Sequence, residues 1–333
     1  MNAKVTIIVP VYNTADYLQN CIDSIKNINF KSYQAIFIDN HSNDGSYEIL
    51  KKNYNEKFRI IRNKKNYGQS YSLNKAIRLA KSPYIAIMDS DDVCLKDRII
   101  HSYQFLKKNR EYVLVAGRSN IINEKGKQVA VRRFTHKFDL INCRIFFDNP
   151  ISHTTIMFKK KIIKKLGGYS QNLKFTQDFD LISKILLNKY KIKILNKHFT
   201  LVRKHKKQQS FKNTKKQDLE RYEIVLKNIE KKIKLNIYFR SLIKFIILKK
   251  DKKFESFSSQ TQIKVFYEFI KKLFENNMQK LYYSTLIFSQ KNNFKKKIVF
   301  SILIKLLILN KFFIRDKETI LRLGKSFLKI IFN

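Results

Sequence analysis

Apolar positions in the first ninety residues form short runs separated by stretches with helical spacing. Four runs are rich in β-branched and other apolar residues: Val5–Val9, Ala35–Ile38, Phe58–Ile61 and Tyr84–Met88. Between them apolar residues recur every three or four positions, as in Leu73, Ile77 and Ala80, which is typical of a helix with one buried face. Runs without a period of two are typical of parallel strands covered on both faces. The pattern therefore predicts an open, doubly wound α/β sheet.

The pattern changes from about Asp218 onward. This part of the chain has no Pro and a single Gly, Gly324, and its apolar residues recur at helical spacing. We therefore predict an α/β domain over residues 1–210 and a basic α-helical extension over residues 211–333. The Lys-rich segment Asn196–Lys216 is predicted to be a linker or a closing loop.

Turn and cap residues punctuate the predicted elements. Thr14 and Ser70 precede helical stretches and are expected to act as N-caps. Pro83 stands directly before the fourth apolar run, where it would start the strand.

Polar residues follow each predicted strand. Ligands of doubly wound sheets bind outside the carboxyl ends of the strands, so these residues are candidates for a binding site. They are Pro10, Tyr12 and Asn13 after the first strand, Asp39 after the second, Asn66 after the third, and Asp89, Ser90, Asp91 and Asp92 after the fourth.

The segment Asp89-Ser90-Asp91-Asp92 places three carboxylates at one strand end of a very basic chain. Carboxylate oxygens suit a hard divalent cation such as Mg²⁺ or Mn²⁺, which also binds diphosphate oxygens. The alternative is that Asp91 or Asp92 caps the helix predicted over Leu95–Leu106.

The charge of the chain points to an anionic partner without choosing one. The 333 residues include 69 Lys and Arg and 26 Asp and Glu, for a net charge of +43. Such an excess usually indicates nucleic acid or an anionic membrane surface. Here the excess is spread over both predicted parts, and abundant Lys, Asn and Ile without Trp is equally consistent with compositional drift. The 44% hydrophobic residues exclude a disordered protein.

The cysteines and the apolar stretches indicate the cellular compartment of the protein. Cys21, Cys94 and Cys143 show neither a disulfide framework nor metal-ligand spacing, which favours a reducing cytoplasm. The first residues lack the pattern of a secretory signal. The apolar stretch Ile298–Leu309 contains Lys305 and is shorter than the ~20 residues of a membrane-spanning helix. We expect a cytoplasmic protein without a transmembrane segment.

The order of these motifs resembles that of family 2 glycosyltransferases of the GT-A fold, over residues 4 to about 210. The resemblance implies a Rossmann-like, mostly parallel sheet flanked by helices. It also implies inverting transfer of a sugar from a nucleoside diphosphate, usually UDP, to a hydroxyl of a glycan or lipid-linked acceptor in bacterial surface polysaccharide synthesis. The segments that carry it are Val9–Asn13, Ile38–Ser46, Asn66–Gly68, Pro83–Asp92, His153–Phe158, Leu166–Tyr169 and Gln177–Leu181.

The resemblance assigns donor-side roles to the strand-end residues. It implies that Asp39 and the segment with Pro10, Tyr12 and Asn13 hold the nucleotide base, with Asn66 nearby. Asp89, beside Ser90, would contact the ribose or the metal, and Asp91 would bind Mn²⁺ or Mg²⁺, which stabilises the departing diphosphate. Asp92 is a secondary candidate.

On the acceptor side, Asp178 matches the family's general base, and Asp180 is a second carboxylate. The alternative is that Asp178 is an ordinary acidic residue in the first turn of a helix. Arg203 and His205 resemble a closing-loop pair near the diphosphate, with His205 as a further metal ligand. A solvated histidine in a basic loop is the other interpretation of His205.

Four positions depart from the family pattern. Asn40 replaces an acidic residue, His41 a Gly, Leu73 an Arg and Gln177 a Glu. The first three lie on the donor side, so the motifs fix the donor less firmly than the reaction class.

Two other functional classes are consistent with parts of the sequence. A non-catalytic basic module would bind nucleic acid or acidic polysaccharide, but the carboxylates of Asp89–Asp92 and Asp178 do not favour a polyanion. We therefore expect no nucleic-acid partner. Nucleotidyl transfer lacks its Gly-rich phosphate loop near the first strand. In the extension, clusters such as Lys231–Arg240 and Lys295–Phe313 would lie on an anionic membrane or pack against one another.

Overall fold

The protein folds into two compact units, Met1–Glu220 and Arg221–Asn333. A computed structural model describes residues 3–132, 149, 151–208, 213–231, 234–248, 252–256, 258, 261, 264, 265, 268, 269 and 272. Cys143, Ile298–Leu309 and Lys295–Phe313 lie outside these described residues.

The first unit contains a mixed sheet with helices on its faces. Its strands are β1 Val5–Val11, β2 Tyr33–Asp39, β3 Phe58–Arg62, β4 Tyr84–Ile87, β5 Val93–Cys94, β6 Tyr112–Ile122, β7 Gln128–Arg132, β8 Met157–Lys159 and β9 Lys191–Arg203. The helices of the chain are α1 Ala15–Lys26, α2 Ser46–Lys52, α3 Gln69–Leu79, α4 Arg98–Lys108, α5 Lys160–Lys165, α6 Gln177–Leu187, α7 Thr214–Glu230, α8 Ile237–Leu248 and α9 Lys252–Glu255.

The four predicted strands form the parallel half of the sheet, in the order β3-β2-β1-β4. The register places Val11 beside Asp39 and Asp39 beside Arg62, so the carboxyl ends of β1, β2 and β3 lie together. Every residue of β1 is buried because helices cover both faces, which explains the absence of a period of two. The prediction of parallel βαβ units is confirmed.

The other half of the sheet is mixed. β8 pairs antiparallel with β4 and with β6, and β9 runs parallel to β6 and antiparallel to β5. The predicted linker at Asn196–Lys216 is wrong over residues 196–203, because these residues belong to β9. Asn196, Lys197 and His198 are exposed beside an irregularity in the β6–β9 register, so this stretch looks like a loop in the sequence.

The predicted N-cap at Ser70 is wrong, and so is the alternative interpretation of Asp91 or Asp92 as a helix cap. Gly68, not Ser70, is the N-cap of α3, and Ser70 lies in the first turn. Asp97, not Asp91 or Asp92, is the N-cap of α4, because the short strand β5 separates the acidic segment from this helix. The carboxylates of Asp91 and Asp92 are therefore not used as helix caps.

Gly117 lies in β6 where the backbone approaches a buried ring in β9. A Cβ atom at this position would lie 2.3 Å from ring carbons of Phe199. We expect Gly117→Ala to lower the free energy of unfolding by about 1–3 kcal/mol, because overpacking a core strains its surroundings. Denaturant unfolding of Gly117→Ala, Phe199→Leu and the double variant tests the cause. If the losses simply add in the double variant, the clash with Phe199 is not responsible.

The second unit is helical where it is described, as the spacing of its apolar residues predicts. In α8 the side chains of Phe239, Leu242 and Ile243 are buried, and the Phe239 ring lies 5.2 Å from that of Phe269. Among the described residues, no helix combines the length and the apolar character needed to cross a bilayer.

Candidate active site

The loops after β1 and β2 are tied together at the carboxyl edge of the sheet. The amide of Asn13 donates to the hydroxyl of Ser42 at 3.0 Å, and the amide of Asn43 donates to Oδ1 of Asn13 at 3.0 Å. Beside this junction, which follows Pro10 and Val11, the Tyr12 side chain is 40% exposed. Tyr12 therefore offers an accessible aromatic face to a planar ligand.

Asp39, at the end of β2, is fully buried. Its Oδ2 lies 3.2 Å from Nε of Arg62, and its Oδ1 accepts a hydrogen bond from the amide of Ser42 at 3.1 Å. Because none of the side chain is exposed, a contact between Asp39 and a nucleotide base requires movement of the residues that cover it. Arg62, half-exposed on the neighbouring strand, is a site residue that the sequence analysis missed.

An amide network occupies the ends of β2 and β3. Nδ2 of Asn40 donates to Oδ1 of Asn66 at 2.6 Å, and Oδ1 of Asn40 accepts from Nδ2 of Asn63 and from the amide of Tyr67. A carboxylate at position 40 could not donate to Asn66, so Asn40 suits this network better than the acidic residue it replaces. Leu73 is fully buried in the core.

Asp91 pairs with His205 at the acidic segment. Nε2 of His205 lies 3.0 Å from Oδ2 of Asp91, which also accepts from Nε2 of Gln208 at 3.3 Å. The His205 side chain is only 6% exposed, and its ring packs 4.7 Å from that of Tyr17. The interpretation of His205 as a solvated histidine is wrong, because β9 carries it directly to the end of β4.

The donor atoms around Asp91 fit a divalent cation. A carboxylate oxygen and an imidazole nitrogen lie together, and the buried Oδ1 of Asp89 has no hydrogen-bond partner. Among the described residues, no three His, Cys, Asp or Glu side chains cluster closely enough to bind a metal by themselves. A Mg²⁺ or Mn²⁺ ion at this position would thus take its other ligands from substrate phosphates and water, which is its usual habit.

Asp92 and Arg203 point away from this pair. Asp92 is buried, and its Oδ1 accepts from the amide of Arg203 at 2.9 Å. Burial, together with the charges of Asp91 and Asp89, raises the pKa of the Asp92 carboxyl well above its ordinary value. The Arg203 side chain is 1% exposed and donates to the carbonyls of Asp91, Asn123 and Glu124. These contacts of Asp92 and Arg203 hold the acidic segment against the end of β9.

Ser90 connects the acidic segment to α1. Its hydroxyl accepts from Oγ1 of Thr14 at 3.0 Å, so Thr14 does not use its side chain to cap α1. This hydrogen bond fixes the loop after β1 against the loop after β4.

Asp178 lies in the first turn of α6, beside the side-chain amide of Asn149. Its Oδ2 accepts from Nδ2 of Asn149 at 2.7 Å, and its Oδ1 accepts from the amide of Phe179 at 2.7 Å. Burial raises the pKa of the Asp178 carboxyl above its ordinary value; His153 opposes this shift and Asp89 adds to it. A carboxylate with a raised pKa is suited to accept a proton.

Asp180 is occupied by other partners. Its Oδ2 lies 2.7 Å from Nζ of Lys184 and accepts from the hydroxyl of Ser170 at 2.6 Å. Lys184 and Ser170 therefore hold the Asp180 carboxylate, which leaves Asp178 as the candidate general base.

His153 and Tyr169 lie between the two acidic groups. Nδ1 of His153 lies 3.7 Å from Oδ1 of Asp89, and its Nε2 hydrogen bonds with the hydroxyl of Tyr169 at 2.9 Å. Burial alone would lower the pKa of His153, but the neighbouring Asp89 carboxylate and the charge of Asp178 raise it. Both residues belong to motifs that are visible in the sequence, but the sequence assigns neither of them a role.

A turn anchored by Asn74 holds Tyr169 in place. Oδ1 of Asn74 accepts from the amide of Tyr169 at 2.9 Å, and its Nδ2 donates to the carbonyl of Tyr169 at 2.7 Å. Gly168, with φ of +66°, brings the turn so close to Asn74 that a Cβ atom would lie 2.5 Å from Oδ1 of Asn74. The conformation and the close approach explain why glycine stands at this position.

One edge of the sheet thus combines an exposed aromatic ring, a pair of side chains suited to a cation, and a carboxylate suited to proton transfer. The fold is a mixed α/β sheet with flanking helices of the GT-A type. The sequence profile of Glycosyl transferase family 2 matches residues 6–167. The chain belongs to glycosyltransferase family 2 and is a glycosyltransferase.

Known proteins with similar sequences or folds agree with this class. An uncharacterized glycosyltransferase of Methanocaldococcus jannaschii is 32% identical over 225 residues, which cover 66% of this chain and 77% of that protein. The O-antigen biosynthesis glycosyltransferase WbnJ of Escherichia coli is 33% identical over 186 residues, or 55% of this chain and 71% of WbnJ. A crystal structure of S. aureus TarS 1-349 in complex with UDP-GlcNAc has a TM-score of 0.58 at 17% identity and covers 86% of this chain and 91% of that one.

Proposed function

We propose that this glycosyltransferase moves a sugar from a UDP-sugar donor to a hydroxyl of a glycan or lipid-linked acceptor, with inversion, in bacterial surface polysaccharide synthesis. The catalytic domain is assigned to residues 1–210 and the extension to residues 211–333. The observation that carries the proposal is that the charges of Asp89 and Asp178 both act on His153, while Asp91, two residues after Asp89, lies 3.0 Å from His205. Burial raises the pKa of the Asp178 carboxyl above its ordinary value.

The donor is assigned to the carboxyl edge of β1, β2 and β4. Tyr12 is the exposed aromatic residue that would stack on the base, with Pro10 at the end of β1 before it, Asn13 directly after it, and Asp39 and Asn66 at the ends of β2 and β3. Asp89 and Ser90 would line the ribose and diphosphate. The UDP-GlcNAc complex of TarS, a protein of the same fold, supports the choice of UDP.

Asp91 and His205 would hold Mn²⁺ or Mg²⁺. Such an ion supplies Lewis-acid stabilisation of the negative charge on the leaving diphosphate. The protein's own contribution is to fix these two side chains: β4 and the backbone contacts of Arg203 position Asp91, and β9 positions His205.

Asp178 is assigned as the general base. Its carboxylate would take the proton of the acceptor hydroxyl, and the resulting nucleophile would attack the anomeric carbon from the face opposite the diphosphate. The hydrogen bonds from Asn149 and from the amide of Phe179 hold the carboxylate in one orientation. A single displacement of this kind inverts the anomeric centre.

The acceptor is proposed from the relatives and from the charge. The name of WbnJ places that protein in O-antigen biosynthesis, which supports a surface polysaccharide as the product here. The net charge of +43 supports peripheral association with the anionic inner face of a membrane, where lipid-linked acceptors lie.

A thermal-shift panel of UDP, GDP, TDP and CMP, each with and without Mn²⁺, tests the donor assignment. UDP with Mn²⁺ is expected to stabilise the protein by about 2.7 kcal/mol at one hundred times its Kd, and the other nucleotides by less. If GDP or TDP stabilises the protein and UDP does not, the donor carries that nucleotide instead of UDP. No response to any nucleotide, together with salt-sensitive binding of a polyanion, would favour the non-catalytic binding module.

A further inference from the structure

Three consecutive backbone amides before α6 converge on one carboxylate. The amide of Lys174 donates to Oε1 of Glu220 at 2.9 Å, and the amides of Phe175 and Thr176 donate to its Oε2 at 2.9 and 3.1 Å. The hydroxyl of Thr176 donates to the same Oε2 at 3.0 Å. Glu220 is separated from this loop by more than forty residues, so the contact is tertiary.

Glu220 supplies hydrogen-bond acceptors at the N-terminus of α6, where the side chain of the cap residue supplies none. Thr176 is the N-cap of α6, yet its side chain caps no amide of the helix and donates to Glu220 instead. An anion at a helix N-terminus is stabilised by the helix dipole, and hydrogen bonds from amides to a carboxylate are among the stronger ones. The loop 174–176 is therefore held by a charge supplied from α7.

The loop 174–176 lies directly before the first turn of α6, which contains Asp178. Only Gln177 separates Thr176 from it, and Gln177 is itself fixed by a hydrogen bond from its Nε2 to Oε1 of Gln69 at 2.8 Å. A displacement of the loop would thus move the first turn of α6 and with it the Asp178 carboxylate. Misplacement of a reacting group by about 1 Å costs on the order of 10²-fold in rate.

We propose that Glu220 is a positioning residue for the general base, which gives the start of α7 a role in catalysis. The inference rests on the proposed role of Asp178. Within the described part of the chain, the hydrogen bonds of Glu220 go to residues 174–176, so we assign its contribution to the rate of transfer and not to the binding of UDP.

Two variants of the full-length protein test the inference, with a control on the same helix. Glu220→Gln keeps the size of the side chain but removes its charge. It also replaces one carboxylate oxygen, which accepts from a backbone amide of residues 174–176, by an NH₂ group that can only donate. Glu220→Asp keeps the charge but shortens the reach by one methylene. Glu223→Gln removes an equivalent charge from an exposed position of α7.

We expect kcat to fall by about 10- to 100-fold in both Glu220 variants, with the Kd for UDP unchanged. Hydrogen exchange of the peptide containing residues 174–176 should become faster in both. Glu223→Gln should match the wild type in all three measurements. Thr176→Val, which removes one of the four hydrogen bonds, should show a smaller loss of kcat.

Two results would overturn the inference. Wild-type kcat in both Glu220 variants would do so, and so would a loss of UDP binding in parallel with kcat, because that pattern indicates general unfolding. Assays run well below the melting temperature of each variant separate these cases. An active Asp178→Asn variant would instead show that the base is assigned wrongly, while the exchange of residues 174–176 still reports on the contact with Glu220.

Discussion

Asp178→Asn is expected to lower kcat by about 10²- to 10⁴-fold while leaving the Kd for UDP unchanged. An amide cannot accept the proton of the acceptor hydroxyl, but it has nearly the size of the carboxylate and can keep the hydrogen bond from the amide of Phe179. Initial rates of sugar transfer and calorimetric titration with UDP measure the two quantities. A variant that keeps most of its activity would remove Asp178 from the mechanism.

The pH dependence gives a second test of Asp178. Burial raises the pKa of this carboxyl, and a general base must be ionised to act. Activity should therefore fall as the pH drops through an apparent pKa above the ordinary value of about 3.9 for Asp. The acidic limb of the profile of kcat/KM should disappear in Asp178→Asn. If it persists unchanged, another group causes it.

Asp180→Asn serves as the matched control for Asp178. Both residues lie in the first turn of α6, but Asp180 is paired with Lys184 and Ser170. We expect this variant to lose stability and to keep the acidic limb of the profile. A loss of activity equal to that of Asp178→Asn, without a loss of stability, would exchange the roles of the two carboxylates.

Asp91→Ala is expected to abolish the stabilisation that UDP confers in the presence of Mn²⁺. It should also lower kcat/KM by more than about 100-fold, the upper end of the loss seen when only an outer-shell partner of a metal is removed. The physical reason is that Asp91 supplies the carboxylate oxygen that lies against His205 at 3.0 Å. Thermal shift with UDP at increasing Mn²⁺ measures the first effect and initial rates the second.

Two further variants give this experiment its controls. His205→Gln should weaken the dependence on Mn²⁺ in the same direction, because the imidazole is the neighbouring donor. Asp97→Asn changes an exposed carboxylate, the N-cap of α4, and should leave the response to Mn²⁺ intact. Stabilisation by UDP that is equal with and without Mn²⁺ in the wild type would contradict the metal assignment for Asp91 and His205.

The parallel half of the fold could be predicted from the sequence because its signals are local. β1 is an apolar run covered by helices on both faces, so its composition alone indicates a buried parallel strand. The carboxyl ends of parallel strands lie at one edge of the sheet, and so do the polar residues that follow them. For this reason Asp39 and Asp89–Asp92 could be predicted to lie at the same edge. The position of Asp178 came from the motif around it, not from any local pattern.

The antiparallel half could not be predicted in the same way. β9 pairs with β6, about eighty residues earlier in the chain, and its exposed segment around Lys197 resembles a loop. Strand pairing over such separations leaves no periodic signal when the strand contains a bulge. The interpretation of His205 as a solvated histidine failed because the sequence does not show which segment β9 brings it against.

The sequence by itself determined which segments form the parallel strands, the ligand edge and the class of chemistry that its carboxylates can perform. Only the tertiary structure decided the surroundings of each acidic group, and these surroundings distinguish the groups. Asp92 turns inward to the amide of Arg203, Asp180 is neutralised by Lys184, and Asp178 stays available with a raised pKa. These three are alike as residues, and they differ because burial and neighbouring charges, which set the cost of ionisation, arise only when distant segments pack together.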